Sequence, residues 1–319
     1  MPVLVSGSVA YDRIMDFPGK FSDNILPGKV HNISISFALD TLAIKFGGTA
    51  TNVAYSLALL GEAALVVSSV GKDFTDYAKW LKRHRLSLNG LHQVPTDLTA
   101  TAHIITDKGD SQIAGFYFGA MRVPALKQAK VQRAFQSAVK KQQTVGLIAA
   151  GNLDDMLLAA QAYRKAKVPF VFDPGQQTPW LSAEQFKQIL RGAHTLIVND
   201  YELALVKKKL KKDVKLLSQL KQLVVTRGEK GADWFVDGKK HTMPVAKPKA
   251  VVDPTGAGDA YRSGVVLGLL RNWPIAQAGR VGALAATYAI EQYGTQSHSY
   301  TKAQFKQRYQ QIFKQSLAI

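Results

Sequence analysis

Short apolar runs of strand length punctuate the chain: VLVSG at 3–7, ALVVSSV at 64–70, TVGLIAAG at 144–151, PFVFD at 169–173, TLIVN at 195–199 and LVVT at 223–226. They are nearly uninterrupted by polar residues, the pattern of strands covered on both faces. Between them, segments 49–61, 74–84, 153–166, 183–191, 258–271, 276–291 and 301–316 carry the periodicity of helices. Strands alternating with helices predict an α/β fold with a mainly parallel sheet between helical layers. Open sheets of that kind bind ligands at the carboxyl ends of their strands. Asp173, Asn199 and Thr226 stand at such ends.

Two regions break the pattern. In HNISISFALDTLAIKFGG, Ile33, Ile35, Phe37 and Leu39 alternate with Asn32, Ser34 and Ser36, the period of a strand with one wet face. TATAHIITDKGDSQIAGFYFG, from 99, predicts a hairpin turning at Asp107 to Asp110. Together they predict a small sheet standing off the main body, either an edge extension or a lid. No repeat, linker or low-complexity segment divides the chain.

Composition changes this picture little. Of 319 residues, 46% are hydrophobic and 20% charged, ordinary for a globular protein. The absence of cysteine excludes disulfides, thiolate catalysis and cysteine-ligated metals. The N-terminal MPVLVSGSVAYD lacks a basic region followed by a long apolar one, and no segment has the apolar length of a membrane span, so a soluble, cytoplasmic protein is expected. A net charge of +18 raises a polyanion-binding alternative. The densest basic run, VKKKLKKDVKLL at 206–217, reads better as the solvated face of a helix, and no nucleic-acid fold signature is present.

The chemistry concentrates in VVDPTGAGDAYRSG at 251–264. Tyr261 occupies the third glycine position of G-x-G-x-x-G, so this is no dinucleotide fingerprint, and no Walker-type G-x-x-x-x-G-K-[ST] occurs. Gly256 and Gly258 lead into a helix beginning near 258, which aims free N–H groups at one point, a cradle for a phosphate or developing oxyanion. Asp259 in that first turn is either a dipole-satisfying acid or a reactive one.

Further motifs decide between these readings. DPTGAGD at 253–259, GGTATN at 47–52, NDYE at 199–202 and TRGEKG at 226–231 resemble, in order and spacing, the signatures of the ribokinase-like (PfkB) family of carbohydrate and nucleoside kinases. The likeness covers nearly the whole chain. It implies one kinase domain over 1–319, a three-layer Rossmann-like core with a β-sheet lid at about 10–46 and 91–120, and ATP-dependent phosphorylation of a hydroxyl. Asp259 would be the general base, with the N–H groups of Gly256, Ala257 and Gly258 holding the charge of the transferred phosphoryl. Asn199, Thr226, Gly228 and Gly231 would serve the nucleotide, and Glu202 its Mg²⁺ through water; the competing readings are a capped surface helix for Asn199 and Glu202 and a tight turn for Gly231. The resemblance also admits K⁺ and a homodimer.

On the acceptor side, Asp12 matches the family aspartate that takes two vicinal hydroxyls, with Gly48 and Asn52 completing the grip; Asp16 is its nearest rival. SGSVAYDRIMDFPGKF, HNISISF, QIAGFYFGAM, DPGQQ and YGTQ further resemble bacterial adenosine kinases. A purine needs an apolar face and amides for its edge. Phe116 would supply the first and Gln176 and Gln177 the second, with Ser8 and Ser36 also lining the pocket. Ala102 and Trp180 depart from the adenosine-kinase pattern, where an aromatic residue and an arginine stand. A sugar kinase of the ribokinase or fructokinase type is the alternative acceptor class.

Overall fold

The computed structural model describes residues 3–25, 35–109 and 111–319. Its larger sheet contains β1 (Val3–Ser6), β4 (Ala64–Val70), β5 (Leu91–Gln93), β8 (Val145–Ile148), β9 (Phe170–Phe172), β10 (Thr195–Asn199), β11 (Gln222–Thr226), β12 (Ala232–Val236) and β13 (Lys239–Met243). The strand order is β13-β12-β11-β10-β9-β8-β1-β4-β5, parallel except for the last hairpin, β12 and β13. Every apolar run predicted as a strand lies in this sheet. Alternate residues feed two cores: Val3 and Val5 face one, Leu4 the other, and Ile197 opposes Leu196 and Val198 in the same way.

Besides the short α1 (Phe21–Asn24), helices cover both faces. On one lie α2 (Thr49–Leu59), α3 (Thr75–Arg83), α8 (Ala257–Leu270), α9 (Ile275–Ile290) and α10 (Lys302–Phe313); on the other lie α4 (Ala129–Val139), α5 (Leu153–Ala166), α6 (Ala183–Leu190) and α7 (Asp200–Leu210). The basic run divides rather than forming one helix, because α7 ends at Leu210 and a 3₁₀ segment, Lys211–Gln219, follows. Its lysines are nonetheless mostly exposed, as a solvated face requires.

The second sheet has four strands in the order β3-β2-β6-β7: β3 (Thr41–Gly47), β2 (Ala10–Asp16), β6 (Ala100–Thr106) and β7 (Gln112–Tyr117). The β6–β7 hairpin is the predicted one, its turn organised by Asp107, whose carboxylate accepts the N–H groups of Gly109, Ser111 and Phe21. Asp110 lies outside the described residues, as do Asn32, Ile33 and Ser34 of the predicted alternating strand. The remainder of that prediction is corrected: 35–39 has no strand pairing, and the ladder begins at Thr41 with Leu42, Ile44 and Phe46 on one face. Phe37 instead packs against the rings of Phe17 and Phe21, centroids 4.7 and 5.1 Å away, so an aromatic cluster supplies the burial that the periodicity implied.

Candidate active site

The small sheet sits over the carboxyl ends of the large one, and between them opens a cavity of about 610 Å³. Ser8, Asp12, Gly48, Asn52, Phe116, Gln176 and Gln177 all line it, with Gly256, Asp259 and Glu202. A second cavity, about 490 Å³, is walled by Thr226, Gly228, Gly231, Pro244, Val245 and residues of α8 and α9. The first turn of α8 separates the two: Gly256 and Asp259 face the first, Ala257 and Gly258 the second.

Local sequence explains that turn. Gly256 caps α8 at φ +81°, a conformation that disfavours any side chain. Asp253 holds the preceding loop, its carboxylate accepting the N–H of Thr255 at 2.8 Å and of Gly294 at 2.9 Å. Among the described residues the N–H groups of Gly256 and Gly258 meet no protein acceptor, whereas that of Ala257 reaches the Pro254 carbonyl at 3.3 Å. Two of the three expected donors are thus free of protein acceptors among the described residues, at the positive end of a 14-residue helix.

Asp259 does not cap its own helix. Its Oδ2 accepts a hydrogen bond from Asn52 Nδ2 at 2.8 Å. Asn52 is itself oriented from behind: its Oδ1 accepts from Gln296 Nε2 at 2.9 Å and lies 3.0 Å from Thr295 Oγ1. Trp80 Nε1, which can only donate, bonds Gln296 Oε1 at 3.1 Å, fixing which end of the Gln296 amide faces Asn52 and hence which end of Asn52 faces Asp259. Burial pushes the Asp259 carboxyl up to about 6, with Asp173 and Glu202 adding to the rise and Arg262 and Asn52 opposing it.

Asp12 lies within β2, its side chain over β3. A Cβ on Gly47 would stand 2.2 Å from Asp12 Oδ2, so the first glycine of GGTATN leaves room for this carboxylate. The second, Gly48, adopts φ +95° and would bring a Cβ to 2.6 Å from backbone atoms of Ser8 and Ala10. Burial raises Asp12 to about 7, helped by the negative charges of Asp259 and Asp253. Asp16 is turned outward at the far end of the strand, accepting a 2.6 Å bond from Thr41 Oγ1 in an exposed setting. Ser8 lines the cavity while accepting the Thr49 N–H at 2.9 Å, which anchors the start of α2. Ser36 does not join the others: it is exposed on the unpaired segment and is absent from the cavity wall, because the lid strand begins later than the alternation predicted.

Phe116 is 40% exposed and meets Phe118 edge-on at 5.2 Å, so it is a wall of the cavity rather than lid core. Gln177 is buried and Gln176 exposed, both near Trp180 on the same wall. Asn199 and Glu202 form a capping box at the start of α7: Asn199 Oδ1 accepts the Glu202 N–H at 2.7 Å and Glu202 Oε2 accepts the Asn199 N–H at 2.8 Å. Of the pair only Glu202 reaches the first cavity, and burial beside Asp173 raises its carboxyl. Gly231 closes a tight turn at φ +80°, its carbonyl accepting the Arg227 N–H, and borders the second cavity together with Gly228 and Thr226.

Sequence reasoning assigned no role to Arg262, buried against the first cavity and ion-paired with Asp173, nor to Trp80 and Gln296. The spacing of Arg262 from Asp259, one helical turn, is the only linear signal of its place. Among the described residues no cluster of His, Cys, Asp and Glu would hold a metal by itself, and no helix is long and apolar enough to cross a membrane.

The chain is similar to known proteins in sequence and in fold. Over 256 residues the chain is 30% identical to a nucleoside kinase of Methanocaldococcus jannaschii, 79% of this chain and 82% of that one. A probable chloroplastic fructokinase of Arabidopsis thaliana is 27% identical over 253 residues, 72% of this chain and 64% of the plant protein. The structure of a Burkholderia thailandensis nucleoside kinase with inosine superposes with a TM-score of 0.85 at 30% identity, covering 99% of this chain and all of the other. With residues 11–302 matching the model of the pfkB family of carbohydrate kinases, and the fold and ordered motifs in agreement, this chain belongs to that family.

Proposed function

We propose that this protein is an ATP-dependent nucleoside kinase, with adenosine its acceptor and the 5′-hydroxyl its point of phosphorylation. The observation that carries the reading is the position of Asp259, hydrogen-bonded to Asn52 at the boundary between a polar, acid-lined cavity and a largely apolar one. Similarity to proteins named nucleoside kinases, one of them bound to inosine, supports the acceptor class.

Asp12 accepts hydrogen bonds from two vicinal ribose hydroxyls, and the second N–H of Asn52 Nδ2 adds a donor. Phe116, Ile104 and Trp180 offer apolar surface to a base, with Gln176 and Gln177 for its edge. Asp259 takes the proton of the 5′-hydroxyl as its oxygen bonds the γ-phosphorus of ATP and the bond to ADP breaks. The N–H groups of Gly256, Gly258 and, more weakly, Ala257 stabilise negative charge on the transferred group. Thr226, Gly228 and Gly231 border the nucleotide.

Oxygen donors suit the Mg²⁺ carried by ATP, and Glu202 has one carboxylate oxygen free of the capping box to face the ion's water shell, with Asn199 behind it. The ion would neutralise phosphate charge. Turnover in K⁺ and Na⁺ buffers tests the monovalent-ion expectation.

The reading is tested by following ADP release and product identity for adenosine, inosine, cytidine, ribose and fructose with ATP–Mg²⁺. Adenosine should give the highest kcat/KM and yield AMP. Preferred turnover of a free sugar overturns the acceptor assignment.

A further inference from the structure

The geometry points to Arg262 as a second, side-chain element of the phosphoryl site: its Nη1 binds an oxygen of the transferred group, and Asp173 is the residue that positions it. This rests on the phosphotransferase reading above. Arg262 lies on α8 one turn after Asp259 and is 8% exposed, yet it lines the acceptor cavity. Its guanidinium is held from one side only. Nη2 donates to Asp173 Oδ1 at 2.7 Å, and Nε pairs with the other carboxylate oxygen. Asp173 sits just past the carboxyl end of β9, so the sheet sets the guanidinium plane rigidly.

That side-on pairing leaves Nη1 over. It donates no hydrogen bond to any described residue, and a Cβ on Gly258 would stand 2.6 Å from it. The lack of a side chain at position 258 therefore has a spatial reason beyond backbone freedom: the guanidinium occupies the place where that side chain would be. Two N–H bonds of a cation consequently lie beside the free N–H of Gly258, at the same helix terminus. A purely structural ion pair would not need to reach that terminus. A phosphoryl group in flight gathers negative charge on its peripheral oxygens, and a fixed guanidinium answers it without reorganising.

The test compares Arg262→Gln with the double variant Arg262→Gln/Asp173→Asn, which removes the ion pair without leaving Asp173 buried and unpaired. Readouts are the thermal midpoint, ADP affinity, kcat, KM for adenosine, and the gain in ADP affinity when aluminium fluoride and adenosine are added. The expected result is a folded double variant that binds ADP within about threefold of the parent, with kcat still down about 100-fold or more and the fluoride-dependent gain abolished. Recovery of kcat to within about threefold in the double variant overturns the proposal, since Arg262 would then serve only to offset Asp173. Should that variant not fold, Arg262→Lys decides: a fall in kcat of about 10-fold or more supports the fork geometry, and a change within about threefold refutes it. A parent protein that phosphorylates neither nucleosides nor sugars sinks the kinase reading itself, a result distinct from an active parent with an active double variant.

Discussion

Asn52 Nδ2 donates to Asp259 Oδ2 at 2.8 Å across 207 residues of sequence, joining α2, the helix that follows β3, to the helix that begins at the glycine-rich loop. The bond ties the acceptor side of the cavity to the group that would remove the acceptor's proton. It also leaves Asp259, which lines the cavity with Asp12 and Arg262, one oxygen without a hydrogen bond among the described residues. A base held in this way keeps its geometry before substrate arrives, which lowers the ordering left for the reactive complex.

Asp259→Asn is therefore expected to keep the fold and bind ADP within about threefold, while kcat falls by about 10²–10⁴. Steady-state kinetics alongside calorimetric ADP titration checks this. Turnover within tenfold of the parent would remove Asp259 from the role of base.

The amides behind Asn52 make a directional prediction. Gln296→Glu replaces a donor with an acceptor, so Asn52 would turn its Nδ2 toward the new carboxylate and present Oδ1 to Asp259. Gln296→Leu removes the bond without reversing it. The glutamate variant should lose more kcat than the leucine one, about 100-fold against about 10-fold, with KM for ATP little changed in either. Trp80→Phe, which deletes the donor that sets the chain's direction, should fall closer to the leucine variant. Equal losses in all three would mean that packing, not amide orientation, is what they disturb.

Two raised acids give a pH signature. With Asp12 at about 7 and Asp259 at about 6 in the free protein, both must lose protons before acceptor and base are ready. The pair titrates jointly, so kcat/KM for adenosine should rise from pH 5 to 7.5 with a limiting slope above one. Asp12→Asn should lower the plateau and reduce the slope to one. Stability runs the other way. A folded-state value above the unfolded one favours the native state below about pH 4, and that advantage is lost as pH rises through about 7. Asp12→Asn should accordingly stabilise the protein at pH 8 by an amount on the order of 2 kcal/mol after allowance for solvent screening, seen as a higher melting temperature, and have almost no effect near pH 4.

How much of this was legible beforehand follows from where the information lies. Strands β1, β4 and β10 announce themselves because burial on both faces leaves few polar residues to interrupt them, Ser68 and Ser69 of β4 being small and buried. Helix α5 has the bounds that its periodicity predicts, and Asn152 caps it, its side chain accepting the Asp155 N–H. The lid strand β3 was misplaced, since alternation reports a wet and a dry face but not which partner dries it; Phe37 is sheltered by Phe17 and Phe21 rather than by a ladder. The linear pattern predicts no helix over Ala129–Val139, where α4 lies. Within the candidate site, residues in ordered motifs were found, and Arg262, Gln296 and Trp80 were not given roles, because their contacts depend on tertiary approach over distances of 89 and 216 residues that no linear spacing encodes.

The sheet row that runs from Asp12 through Ala102 to Phe116 offers a final prediction, one that separates nucleoside from sugar. Phe116 is exposed on β7, with Phe118 edge-on behind it and Trp180 on the facing loop. A base lying on this wall gains stacking worth roughly 1–3 kcal/mol, whereas a free pentose held at Asp12 has nothing to place there. Phe116→Ala should thus raise KM for adenosine and inosine by about 10-fold or more while changing that for ribose, where ribose is turned over at all, by less than threefold. Loss of the same size for both would mean that the ring shapes the lid and not the base site. Parallel kinetics on the two acceptors with one enzyme preparation decides it, because a damaged sheet raises both KM values and a missing stacking face raises only one.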